Sequence, residues 1–177
     1  MRTGRWRLLL LMLAAVAAMT TGPGAMAADP DTLATSSGVP VELGAGQVAV
    51  KLVTSGKALS ARVAGIGGDR KVYLVVRGLG TDAPPETIYQ IYLGLPQGVV
   101  PSPDGANYVG ALNFFNAPKR GAARSDTRFF SFDVTVLLKT LQSRRSLGDD
   151  AIVTIVPAGA PRADAKPVIG EIALVEQ

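Results

Sequence analysis

Three dense apolar runs, at residues 72–76, 88–95 and 108–115, are separated by loops rich in Gly, Pro and Asp. That pattern predicts consecutive strands of an all-β domain. The first run, Val72-Tyr73-Leu74-Val75-Val76, is apolar at every position, as in a central strand with a layer on each face. In the second, Tyr89, Ile91 and Leu93 fall on one side of a strand and Ile88, Gln90 and Tyr92 on the other. Its tyrosines are expected at the edge of the core, with each hydroxyl reaching solvent or a carbonyl. In the third, Gly110 marks a bulge or a close approach of backbones.

Elsewhere the pattern is sparser. Val48, Val50 and Leu52 alternate with polar or small residues, and so do Leu59, Ala61 and Val63 after the turn at 54–57. The two runs read as a hairpin. Phe129, Phe130 and Phe132 mark a strand at 128–132. The period then becomes helical over 136–143, with Asp133 or Thr135 placed to cap the start. Residues 152–156 and 168–175 read as the last strands. Eight or nine short strands and one short helix predict an antiparallel β-sandwich of jelly-roll or Greek-key type over residues 47–177. Residues 28–46 read as a flexible leader with a short edge strand at 39–43.

The N-terminus has its own logic. Arg2, Arg5 and Arg7 precede an apolar run at 8–19, followed by a Gly-Pro-Gly break and Ala25-Met26-Ala27. This predicts a signal peptide, residues 1–27, cleaved on export to the periplasm or beyond. The run is too short to span a bilayer, which takes about 20 residues, so no stable membrane anchor is expected after cleavage. Three of the eighteen basic residues fall in this segment and all fourteen acidic residues beyond it, so the remainder carries a net charge of +1. Such a domain has no electrostatic case for nucleic acid. Lys119, Arg120, Arg124 and Arg128 are the nearest thing to a basic cluster and read as a solvated loop or an anion contact.

The 177-residue chain contains neither Cys nor His. That excludes thiolate nucleophiles and disulfides, and it removes the usual transition-metal ligand and the commonest general base. Asp82, Glu86, Asp104, Asp149 and Asp150 all sit beside turn formers and read as solvated turn residues, not as an acid–base pair or a calcium site. Gly78, Gly80 and their neighbours match the spacing of a dinucleotide fingerprint. Pro84 and Pro85 follow where that motif needs a helix, so no cofactor is expected. The residues therefore predict a domain that is not an enzyme.

From residue 47 onward, five motifs in order resemble the C-terminal β-domain of tyrosinases and plant polyphenol oxidases, the KFDV domain. Tyr89-Gln90-Ile91-Tyr92-Leu93 stands where that family has its KFDVYV strand, which this chain does not spell. Tyr108-Val109-Gly110-Ala111-Leu112 resembles its glycine-centred strand, and Val136-Leu137-Leu138-Lys139-Thr140-Leu141 its helix. The acidic turn Asp149-Asp150 leads into a strand ending in Val156-Pro157, and Val168-Ile169-Gly170-Glu171-Ile172 is similar to its closing strand.

In that family the β-domain packs over the entrance of a separate, histidine-rich copper domain and shields it. The resemblance therefore implies a non-catalytic covering module without the domain that it covers. Its expected partner is a tyrosinase-like copper enzyme, or another exported protein, docked in trans. The alternative is a free-standing module that recognises glycans or surfaces. The expected docking residues are Pro101, Pro103 and Asp104, with Phe114, Phe115 and Asn116, in the loops flanking the Tyr89 and Tyr108 strands.

Overall fold

The strand β4 (Val72–Arg77) lies inside a four-stranded antiparallel sheet, between β10 (Glu171–Glu176) and β7 (Phe129–Asp133). β1 (Asp31–Thr35) adds to the far side of β10. The second sheet runs β3 (Val48–Leu52), β8 (Ala151–Pro157), β5 (Tyr89–Leu93), β6 (Tyr108–Leu112), also antiparallel. A two-stranded piece pairs β2 (Val41–Glu42) with β9 (Val168–Ile169). The structure is a computed structural model, which describes residues 31–121 and 129–177. The expected signal peptide, and Arg124 and Arg128 of the basic cluster, lie outside the described residues.

The core lies between the two sheets. Val72, Leu74 and Val76 of β4, with Ile172 and Leu174 of β10, belong to the same cluster as Leu52, Tyr89, Ile91, Leu93, Val153 and Ile155 of the second sheet. The other face of β4 carries Tyr73 and Val75, which join Ala173 and Val175 in a second, smaller apolar cluster. Thr35 and Val53 exchange backbone hydrogen bonds of 3.0 and 2.8 Å, tying the two sheets together along one side. The all-β sandwich is therefore as the patterning predicts.

Two expectations are corrected. Leu59, Ala61 and Val63 do not form a strand; they lie in a helix, α1 (Leu59–Ala64), in which Leu59 and Val63 are buried and Ala61 is exposed. Buried positions four apart make one helical face, and the small Ala61 only imitates an alternating pattern. The true partner of β3 is β8, about a hundred residues away. The described part of the expected leader, from Asp31 to Gly46, is also more than a leader. β1 pairs with β10 and buries Leu33 and Ala34, so the sandwich includes Asp31 onward rather than beginning at Gln47. Arg62 of α1 fixes this strand by donating to the Thr32 and Leu33 carbonyls and pairing with Asp31 at 2.7 Å.

The expected helix is α2 (Thr135–Ser143), which packs Leu138 and Leu141 inward against α1 at one end of the sandwich. Val134 is its N-cap and offers no side-chain bond; Asp133, one residue earlier, instead accepts the Thr135 N–H at 3.0 Å and the Thr135 hydroxyl at 2.7 Å through Oδ1. Those bonds, and then Lys71 at 3.3 Å, hold the Asp133 carboxyl below its ordinary value of 3.8. A lowered folded-state pKa stabilises the fold above the unfolded-state value and loses that contribution as pH falls through the folded one. The Asp133→Asn variant is accordingly expected to be less stable than the parent at neutral pH. The difference in urea midpoint should shrink as pH drops below 3.8.

Gly110 is both a bulge neighbour and a close approach. The β5–β6 register shifts between Ile91 and Tyr92, and a Cβ on Gly110 would meet the Phe132 ring at 2.5 Å. The Tyr92 hydroxyl donates to Gln90 Oε1 at 2.7 Å, whereas the Tyr89 hydroxyl is buried with no hydrogen-bond partner among the described residues. Its expected route to solvent or a carbonyl is thus not taken, because Tyr89 points into the core and stacks edge-on against Phe114 at 5.6 Å. An unpaired buried hydroxyl is destabilising. Tyr89→Phe is expected to raise stability by about 1 kcal/mol, read as a higher urea midpoint.

Candidate docking site

β5 and β6 form a hairpin whose connecting loop, 94–107, lies at one end of the sandwich. The segment entering β5, 84–88, and the one leaving β6, 113–116, lie at the other end. A five-residue strand spans about 16 Å, and this separates the sequence-predicted docking residues into two groups. Pro101, Pro103 and Asp104 are on the 94–107 loop, near the helices, where Leu141 packs on Gly94. Phe114, Phe115 and Asn116 are at the opposite end.

That opposite end is a platform of cross-tied loops. Asp82 N–H donates to the Ala165 carbonyl at 2.7 Å, Thr81 N–H to Pro118 at 3.0 Å, and Arg162 N–H to Pro85 at 3.1 Å. Thr87 Oγ1 accepts the Gly159 N–H at 3.0 Å. The Arg162 guanidinium grips Asp164 through Nε at 3.0 Å and Nη2 at 2.7 Å, while its Nη1 reaches Glu86 at 3.2 Å. The Asp164 carboxyl is held below its ordinary range by the Arg162 hydrogen bonds. Arg120 pairs with Glu42 at 2.8 Å.

Strain gathers here as well. Glu86, Asn116 and Lys166 have φ of +59°, +54° and +43°. Of the four described non-glycine residues in the left-handed region, these three belong to this platform and Arg145 to the far end. Such conformations cost of order 1–3 kcal/mol each and persist where surroundings over-determine them. They concentrate at functional sites.

On this platform the sequence Asn113-Phe114-Phe115-Asn116-Ala117 makes a tight turn. Asn113 Oδ1 accepts the Phe115 N–H at 3.2 Å, and Ala117 N–H closes on the Phe114 carbonyl at 3.0 Å. The turn drives adjacent phenylalanines apart. Phe114 is 4% exposed and belongs to the core, while Phe115 is 81% exposed at the tip. Beside it a cleft of about 470 Å³ is walled by Pro84, Pro85, Thr87 and the half-exposed Ile88. Of the predicted docking residues, Phe115 and Asn116 share this cleft, Phe114 forms its floor, and the Pro101 group is elsewhere.

The 84–88 wall escaped the sequence reading, although Pro84-Pro85 before a strand was the available signal. Arg162 also escaped it, because its partners Glu86 and Asp164 become neighbours only in the fold. The glycines at 78–80 hold no nucleotide loop: Gly80 bridges to Val168, and no helix lies between β4 and β5. Asp150 pairs with Lys51 at 2.7 Å, and among the described residues no three acidic groups come together as a metal site.

Residues 31–177 match the family described as "Domain of unknown function (DUF7868)". No curated protein matches the chain. Among solved structures, latent apple tyrosinase aligns with a TM-score of 0.51 and 18% identity, over 78% of this chain and 27% of that one. A recombinantly expressed latent aurone synthase, a polyphenol oxidase, gives 0.49 and 19%, over 77% of this chain and 25% of the other. The chain spans about a quarter of the length of these proteins. At such identity the likeness is one of fold, and it is the fold that the motif resemblance predicts.

Proposed function

The chain belongs to the DUF7868 family, and on that premise we propose that it is a non-catalytic docking domain, exported and bound in trans to another exported protein. The observation that carries this reading is Phe115, held 81% exposed on a platform of cross-tied, strained loops. An exposed aromatic on a rigid support suits a binding anchor, because little conformational entropy is lost when it is covered. The tyrosinase-like fold supports a copper oxidase of that class as the partner, since the shared piece is about a quarter of those proteins and this chain has no histidine to hold their metal.

The test mixes the purified protein with a tyrosinase-like oxidase that lacks its own β-domain and follows the oxidation rate of a diphenol. A saturable fall in rate or lengthened lag supports the reading. Unchanged kinetics at micromolar protein, with no complex by sedimentation, would overturn the oxidase as partner.

A further inference from the structure

A second cleft, of about 480 Å³, opens on the same platform between the 43–45 and 161–167 loops. Its lining includes Arg120, Arg162, Lys166 and Glu42, and Arg162 also carries Asp164 and Glu86, so Lys166 is the cation of the three with no paired carboxylate among the described residues. The two guanidinium groups are already aimed. Asp164 holds Arg162 through two parallel bonds, and Glu42 holds Arg120 through Nη2. Together with Glu86, these contacts use one N–H on each of the three Arg162 nitrogens, so two of its five donors stay unengaged by them.

Lys166 has no carboxylate within 4.0 Å among the described residues, and its backbone is left-handed at φ +43°. For a long, non-glycine side chain that conformation is costly, and here it sits at the rim of a cleft already lined by two oriented forks. Positioned Arg forks with a lysine beside them favour an oxyanion, whose oxygens accept from several donors at once.

We infer that this cleft is an oxyanion site in which Arg120, Arg162 and Lys166 bind a carboxylate or a tetrahedral oxyanion. The site does not rest on the docking reading, for its ligand is chosen by charge and not by the Phe115 tip. Both possible sources share the same chemistry, and separate probes distinguish them.

The experiment titrates the purified, isotope-labelled protein at constant ionic strength with inorganic phosphate and, separately, with tetraglutamate. It follows the Nε–H resonances of Arg120 and Arg162 and the Lys166 amide. Saturable shifts at all three, with Arg144 at the far end unmoved, are the expected result. The tighter probe identifies the source. Lys166→Gln and Arg120→Gln should each weaken the binding about fivefold, while Phe115→Ala leaves it unchanged. Shifts that do not saturate, or that appear equally at Arg144, would overturn the site.

Discussion

Phe115→Ala is expected to leave the unfolding midpoint of the protein unchanged and to weaken binding to its partner by at least about thirtyfold. Both halves follow from exposure. Phe115 is 81% exposed and lies outside the buried core, so truncating its side chain uncovers little apolar surface. Its neighbour Phe114 is 4% exposed, and the same change there should cost about 3–5 kcal/mol by opening a cavity beside Tyr89. A central aromatic anchor in an interface typically contributes 2 kcal/mol or more, which sets the thirtyfold figure at about RT per e-fold.

The measurement pairs thermal unfolding with titration against the oxidase. The Pro103→Ala, Asp104→Ala double variant serves as the control at the other end of the hairpin. Binding that survives Phe115→Ala but fails in the double variant would move the docking surface to the 94–107 loop.

The second large effect is on stability. Gly78→Ala should destabilise the protein by about 2–3 kcal/mol. Two costs combine there. Gly78 has φ +68°, which an alanine adopts at about 1 kcal/mol, and its Cβ would stand 3.1 Å from the Gly170 Cα. That neighbour is backbone and cannot rotate away. It is also pinned, since Gly170 N–H donates to both the Arg77 and Gly78 carbonyls at 3.0 Å.

Gly56→Ala separates the two costs. Its φ of +91° imposes strain, yet nothing lies within 4 Å of the added carbon, so about 1 kcal/mol is expected. Urea unfolding of both variants checks the difference. Equal losses would mean that the contact with Gly170 is relaxed without cost.

Much of the fold is legible from local pattern because a strand's side chains alternate and a turn's residues are chemically distinctive. Tyr89, Ile91 and Leu93 are all fully buried, as their common side predicts. The helix at α2 follows from its changed period, although its N-cap is Val134 and Asp133 bonds the first helical residue, Thr135, from one position further out. The failures share one cause. Six residues from Leu59 satisfy either a short helix or a short strand, and what decides is tertiary: Leu59 and Val63 enter the core from one helical face and α1 packs on α2. β1 looked like leader because its polar Asp31 and Thr32 mask the burial of Leu33 and Ala34 on β10.

The chain by itself determines the absences and the class: no histidine or cysteine chemistry, an all-β sandwich, and a glycine at 78 that does not introduce a nucleotide-binding helix. Those follow from composition and from interactions between residues near one another in sequence. Tertiary structure alone decides which loops meet. It separates Pro101 from Phe115 by the length of a hairpin, sends Phe114 inward and Phe115 outward, and brings Arg162 to Glu86 across 76 positions. Such contacts depend on the register and twist of whole sheets, which no local pattern encodes.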